Sequence, residues 1–283
     1  MTTSAMPARP VQATIPAAMP ASGAALKVAR YEMSNILRSR WLMAYCLFFI
    51  LATDALLRFG GGGGRALLSL VSVVLFIAPL VALVFGTTYL YDAREFTELL
   101  LAQPVARGRL FVGLFLGLAL PLSAALLVGV GLPFLWHGVE DGAQLVTLGV
   151  LGGCGVALTL SFVALAFLVA VRTEDRVRGL GTAVGLWLAL TLLYDGVVLL
   201  GIALLADYPI ERPVLALMLA NPVDLARVLL LLRFDSGALQ GYTGAVFTQF
   251  FGGAGALAAA AALILWVVVP TLLGLRAFRR RDF

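Results

Sequence analysis

Residues 144–171 read QLVTLGVLGGCGVALTLSFVALAFLVAV, a run without a single charged side chain. A crossing of the hydrocarbon core needs about 20 apolar residues, and this run has no period-two alternation of the kind a barrel strand carries. Only helices and closed barrels satisfy every backbone polar group in lipid, so the stretch reads as a membrane helix. Five further runs of the same character lie outward of it, at roughly 41–58, 66–89, 111–135, 179–205 and 246–275. With 61% hydrophobic and 12% charged residues and a mean hydropathy of +1.02, the chain lies outside the range of a soluble domain. The expectation is an all-α integral membrane protein with six spans forming one domain over residues 24–283.

Basic residues are costly to translocate and collect on the cytoplasmic side of short loops. Placing the N-terminus inside puts Lys27, Arg30, Arg38, Arg40, Arg94, Arg107, Arg109, Arg172, Arg176, Arg178, Arg276, Arg279, Arg280 and Arg281 in the cytoplasm. Arg58, Arg65, Arg212, Arg227 and Arg233 then fall outside. Six spans bring both termini to the cytoplasmic face of a bacterial inner membrane. A seventh, at residues 214–232, would send the C-terminal arginines out. That run is broken by Asn221-Pro222, where proline removes a donor and disfavours helix at the preceding residue, and it carries Asp224 and Arg227. It reads as two short helices lying on or dipping into the outer face, tolerated at depth only if other protein buries them.

The first 23 residues are rich in Ala and Pro and lack the continuous apolar core of a signal peptide, so a disordered cytoplasmic tail is expected. Leu26, Ala29, Met33, Ile36 and Leu37 then share one helical face, and Lys27, Arg30, Ser34 and Arg38 the other. This suits a helix lying in the inner interface with its basic side toward anionic headgroups. The plain alternative is an ordinary basic flank of the first span.

Between the second and third spans stands REFTELLLAQPV, residues 94–105, charged and partly amphipathic. Asp92 and Glu95 resemble a capping box, with an acceptor at the helix start and a carboxylate reaching back to free donors. Phe96, Leu99, Leu100 and Gln103 share a face, and Pro104 ends a helix of about ten residues. That stripe either packs beneath the chain's own bundle or is gripped by another protein.

Two aspartates lie within the runs, where a carboxylate costs about 2.5 to 3.5 kcal/mol on insertion scales. Asp54 precedes Arg58 by four residues, so the two can pair on one helix face. Asp195 has no local cation and should face a polar cavity, a neighbouring helix or a second copy. Contact with a substrate and a bond between helices both remain open for it.

Catalytic readings lack their residues. Gly60–Gly64 is followed by Arg65-Ala66, so it is no phosphate-binding loop and reads as a hairpin between spans. His137 is solitary and reads as an interfacial polar residue. Tyr194-Asp195 resembles half of an intramembrane aspartyl protease pair, but Asp54, in Ala-Thr-Asp-Ala, is a poor second half, because such chemistry needs two carboxylates sharing a proton. Cys46 and Cys154 lie in different spans, and no spacing of Cys, His or Met makes a metal-ligand set. No catalytic site, metal, cofactor of its own or nucleic-acid partner is expected.

REFTELLLAQPV followed by Arg107-Gly108-Arg109-Leu110, with Asn221-Pro222-Val223-Asp224 before the last span, resembles the permease subunits of ABC-2 type transporters. The likeness runs from about Leu26 to the C-terminus and is nearest to permeases encoded with nitrous oxide reductase maturation genes. It implies that Asp92, Arg94, Glu95, Phe96, Glu98, Leu99, Leu100, Gln103 and Pro104 belong to a coupling helix seated on a separate cytoplasmic ATPase. By the same likeness Arg172-Thr173-Glu174-Asp175-Arg176 forms a second, smaller contact. Further implied are a second permease copy, ATP and Mg on the ATPase, a β-helical periplasmic partner and a role in assembling the copper site of nitrous oxide reductase. The competing expectations are an exporter of lipid, polysaccharide or drug with the same architecture, a secondary transporter, and a passive membrane scaffold.

Overall fold

The computed structural model describes residues 30–31, 33–60, 63–101, 106–139, 141–204, 217–231 and 255–280. The expected tail, Leu26, Lys27, Ala29, Gln103, Pro104, Arg212, Arg233, Arg281 and the 246–254 start of the sixth run lie outside the described residues, as does the side chain of Leu100.

Among the described residues the chain is helical throughout, with no strand. A short helical segment at residues 30–31 and 33–37 (α1) leads into α2 (Arg40–Phe59), α3 (Gly63–Asp92), α4 (Arg94–Leu101), α5 (Arg107–His137) and α6 (Gly142–Arg172). Then follow α7 (Arg176–Leu188), a π-helical turn at Ala189–Leu193, α8 (Tyr194–Leu204), α9 (Pro222–Leu231) and α10 (Gly255–Arg280). Six segments are long and apolar enough to cross a membrane: α2, α3, α5, α6, the stretch Arg176–Gly201, and Leu257–Arg280 within α10.

The expected spans stop short of the helices. α7 begins three residues before the 179 expected for its run, and α10 continues through Arg276, Arg279 and Arg280. Apolar content marks where the lipid ends, whereas the backbone stays helical beyond it because long arginine stems carry their charge out to water. Pro79, Pro121, Pro133 and Pro270 all lie inside helices, as lipid-embedded bundles permit.

α6 is the central helix, packing on α3, α10, α5 and α9. Lipid is as apolar as leucine, so helices associate by close packing and polar contacts rather than by expelling water. Gly86 of α3 supplies one such approach, since a Cβ there would stand 2.6 Å from the Ala166 Cβ of α6. Gly129 of α5 does the same against α2, where its Cβ would meet that of Phe49 at 2.5 Å. Near the ends of α5, α6 and α10, Phe111 contacts Phe167 at 5.6 Å and Phe278 at 5.5 Å between ring centroids.

The broken segment forms the short helix expected after Asn221-Pro222, and other parts of the chain bury it as a break at depth requires. It enters the bundle, burying Pro222, Val223, Leu225, Ala226, Val228 and Leu230 against α10, α6 and α3. Asn221 secures the break, its side-chain amide donating to the Leu190 carbonyl at 2.8 Å and its oxygen accepting from the Val223 N–H at 3.0 Å. The Leu190 carbonyl belongs to the π-helical turn, so the Asn221 side chain serves the backbone of both irregular stretches.

Contacts sort the helix ends into two faces. One holds α1, the end of α3, α4, the starts of α5 and α7, and the ends of α6 and α10. The opposite face holds Asp54 and Arg58 of α2 with Trp136 and His137 of α5. Gly86→Leu should overpack the α3–α6 contact at a cost of about 1–3 kcal/mol. A lower thermal midpoint of the purified protein in mild detergent checks this, and an unchanged midpoint would show that the contact is not tight.

Candidate functional site

The basic face carries the densest set of polar contacts between separate parts of the chain. α3 passes into α4 almost without interruption: the Ala93 N–H donates to the Tyr89 carbonyl, and the Thr97 N–H donates to the Ala93 carbonyl, both at 2.9 Å. Ala93, and not Asp92, therefore stands at the start of α4. Asp92 is the last residue of α3, and its carboxylate accepts from Arg176 at 2.8 Å. The expected capping box is replaced by an ion pair, because the chain remains helical one residue too long for Asp92 to cap anything.

Arg94 opens α4 and reaches across to the end of α6. Its guanidinium donates to the carbonyls of Glu174 at 2.7 Å, Thr173 at 2.8 Å and Ala170 at 3.4 Å. The final carbonyls of a helix lack intrahelical donors and carry its negative dipole end, so a planar five-donor cation suits them. The same guanidinium lies 4.3 Å from the centroid of the Tyr91 ring, a cation–π arrangement. Tyr91 in turn donates from its hydroxyl toward the carbonyls of Thr173 at 3.1 Å and Asp175 at 3.3 Å. Its phenol occupies the space a side chain at position 179 would need, so only glycine fits there. Asp175 closes the loop by accepting from the Val177 N–H at 2.8 Å, capping α7.

The structure thus brings Asp92, Arg94, Thr173, Glu174, Asp175 and Arg176 into one cluster. Arg172 is exposed beside it. The apolar stripe expected on α4 divides. Phe96 is half-buried and stacks on Tyr31 of α1 at 6.3 Å, and Thr97 is buried. Glu95, Glu98 and Leu99 face outward, Leu99 being 71% exposed. One side of α4 is held by the chain's own bundle and the other is left uncovered. Sequence reasoning passed over Tyr91 and Gly179. Nothing local signals them, since each has meaning only through a contact more than eighty residues away in sequence.

The charged groups within the spans are also paired. Asp54 accepts from Arg58 at 2.9 Å and from the Trp136 indole at 3.1 Å, with His137 at 2.8 Å. His137 thus shares the Asp54 carboxylate with Arg58 and Trp136. Asp195 does have a cation: Arg227 of α9 donates to it at 2.6 Å and to Asp224 at 3.1 Å. The partner lies 32 residues downstream across the break, which is why sequence spacing hid it. Two carboxylates on one guanidinium form a bridge between α8 and α9.

Residues 26–283 match the family model described as ABC-2 family transporter protein. A protein of Pseudomonas aeruginosa described as "Probable ABC transporter permease protein NosY" is 34% identical over 275 residues, covering 90% of this chain and 97% of the relative. A protein of Stutzerimonas stutzeri with the same description is 31% identical over 280 residues, again covering 90% of this chain and 97% of the relative.

Removing a cation that serves two acids costs more than neutralising one acid of the pair. Arg227→Leu should therefore lower the thermal midpoint in detergent more than Asp195→Asn does. The reverse order would mean that Arg227 does not hold the α8–α9 bridge.

Proposed function

The chain belongs to the ABC-2 transporter family as a multi-pass permease subunit, and we propose that α4 with the 173–175 loop is the handle by which a cytoplasmic ATPase moves it. The basic face is then the cytoplasmic face of a bacterial inner membrane, in line with the preference of arginine for that side. Glu95, Glu98 and Leu99 present the exposed side of the handle, and the neighbouring 172–176 segment provides the smaller contact. A second permease copy completes the machine, with ATP and Mg held by the ATPase.

The observation that carries this reading is the Arg94–Tyr91 weld. Force applied to a surface loop moves a membrane helix only if the joint between them is stiff. Here α4 continues from α3 with one intervening residue, while Arg94 ties it to the last carbonyls of α6. A load on α4 would therefore be shared by α3 and α6, the most extensively packed pair in the bundle. Rigid-body motion of packed helices is how such domains switch between states.

We further propose that this permease serves the assembly of the copper site of nitrous oxide reductase, with a β-helical partner on the periplasmic side. Support comes from the two similar proteins described as NosY permeases and from the likeness of its coupling segment. Export of lipid, polysaccharide or drug through the same architecture is the second reading, favoured if the copper enzyme matures normally without this chain.

Co-purification with the ATPase tests the handle. Glu95→Lys with Leu99→Lys should release most of the ATPase while the permease keeps its thermal midpoint. Arg94→Ala should instead leave the ATPase bound and reduce its stimulation by about ten-fold, the equivalent of losing about 1.4 kcal/mol of coupling. Unchanged retention in the first variant, or full stimulation in the second, would contradict the assignment.

A further inference from the structure

Behind α4, on the basic face, lies a cavity of about 990 Å³ bounded by α1, α2, α3 and α5. Tyr31, Asp92, Phe96 and Arg176, described above, form part of its lining. Its rim is polar: Asn35, Arg38 and Ser39 come from the α1–α2 corner, and Asp92 and Arg176 from the other side. Asp92 and Arg176 neutralise each other at 2.8 Å. The Arg38 guanidinium makes no ion pair with another described residue, so among the described residues the rim carries one unpaired positive charge.

The walls become apolar with depth. Val84 lies a little over two turns into α3 from Asp92, about 12 Å, and Leu118 three turns into α5 from Arg107, about 17 Å. A single leaflet of hydrocarbon is about 15 Å deep, half of the usual core. The cavity therefore spans one leaflet, charged at its surface and greasy at its floor. Trp41, 72% exposed, and Tyr31 belong to its lining, and rings of this kind concentrate at membrane interfaces.

We propose that this cavity is a binding site for one anionic phospholipid of the inner leaflet, its phosphate on Arg38 and an acyl chain along Val84, Leu118 and Leu122. The polarity gradient selects the occupant: a soluble anion would satisfy Arg38 but leave the apolar walls wet, and a purely apolar ligand would fill the walls but forgo the attraction of the exposed Arg38. A lipid seated there braces α1 and α2 against α3 immediately beside the α3–α4 joint, and so would set the stiffness of the handle. The choice of leaflet rests on the cytoplasmic placement of the basic face proposed above.

Native mass spectrometry of the full chain in mild detergent, titrated with phosphatidylglycerol or phosphatidylethanolamine, tests the site. One phosphatidylglycerol should bind per chain with a preference of about five-fold, the worth of one basic residue near a membrane surface. Arg38→Glu should abolish that preference, Arg38→Lys should keep it, and Val84→Trp should weaken both lipids by filling the floor. Equal binding of phosphatidylglycerol to the native, Arg38→Glu and Val84→Trp proteins would overturn the proposal. So would displacement of the lipid by equimolar glycerol phosphate, which would mark a headgroup-only site, or binding seen only after residues 1–29 are removed. Sidedness has its own readout: Ser39→Cys, with Cys46 and Cys154 changed to Ser, should react with an impermeant maleimide from the cytoplasmic side. Reaction from the outer side alone would refute the inner leaflet as the source, and would do so independently of the titration.

Discussion

A backbone amide inside hydrocarbon finds no water to bond, and that single constraint shapes every element of this molecule. It makes the apolar runs helices and keeps the four intrahelical prolines tolerable. It also dictates the fate of the one segment that breaks. The helix is interrupted just before Pro222, so α9 is enclosed by α3, α6 and α10, and the Asn221 amide answers a carbonyl of the π-helical turn. With no hydrophobic driving force between lipid-immersed helices, specificity falls to close approaches such as Gly86 on Ala166 and to polar pins such as Asp195 with Arg227.

The same economy of polar contacts appears on the basic face with a different consequence. Arg94 satisfies carbonyls that α6 would otherwise present to the surface, Tyr91 supports both the guanidinium and the loop beyond, and Gly179 clears the space. Each contact is ordinary alone. Together they join a short surface helix to the central pair of spans without a flexible residue run between them. Phe96 adds a tether to α1 through Tyr31, which draws α1 and the cavity beside it into the same assembly.

Much of this was legible in the sequence because it is local. Hydropathy located six spans, four-residue spacing paired Asp54 with Arg58, and the Asn-Pro dipeptide marked the break. The missing parts are long-range. Asp195 has no cation near it in sequence because Arg227 arrives from 32 residues downstream, beyond the helix break, and the contact of His137 with Asp54 spans 83 residues. Asp92 was misread for a subtler reason: a capping pattern and a continuing helix end look alike until the backbone bonds at Ala93 decide between them. For α9 the sequence signals that a broken segment must be buried but not by what, because the helices that enclose it, α3, α6 and α10, are marked by no local pattern.

The central claim is that the outward side of α4 meets a soluble, nucleotide-hydrolysing partner. Photo-crosslinking from an unnatural amino acid at position 99, in membranes that contain the complete system, tests it most directly. The account predicts a crosslink to the ATPase whose yield changes when nucleotide is added, and none to the ATPase from a control at the exposed position 120 within the membrane-spanning α5. Crosslinks from position 99 that reach only the chain's own helices, with or without nucleotide, would contradict it.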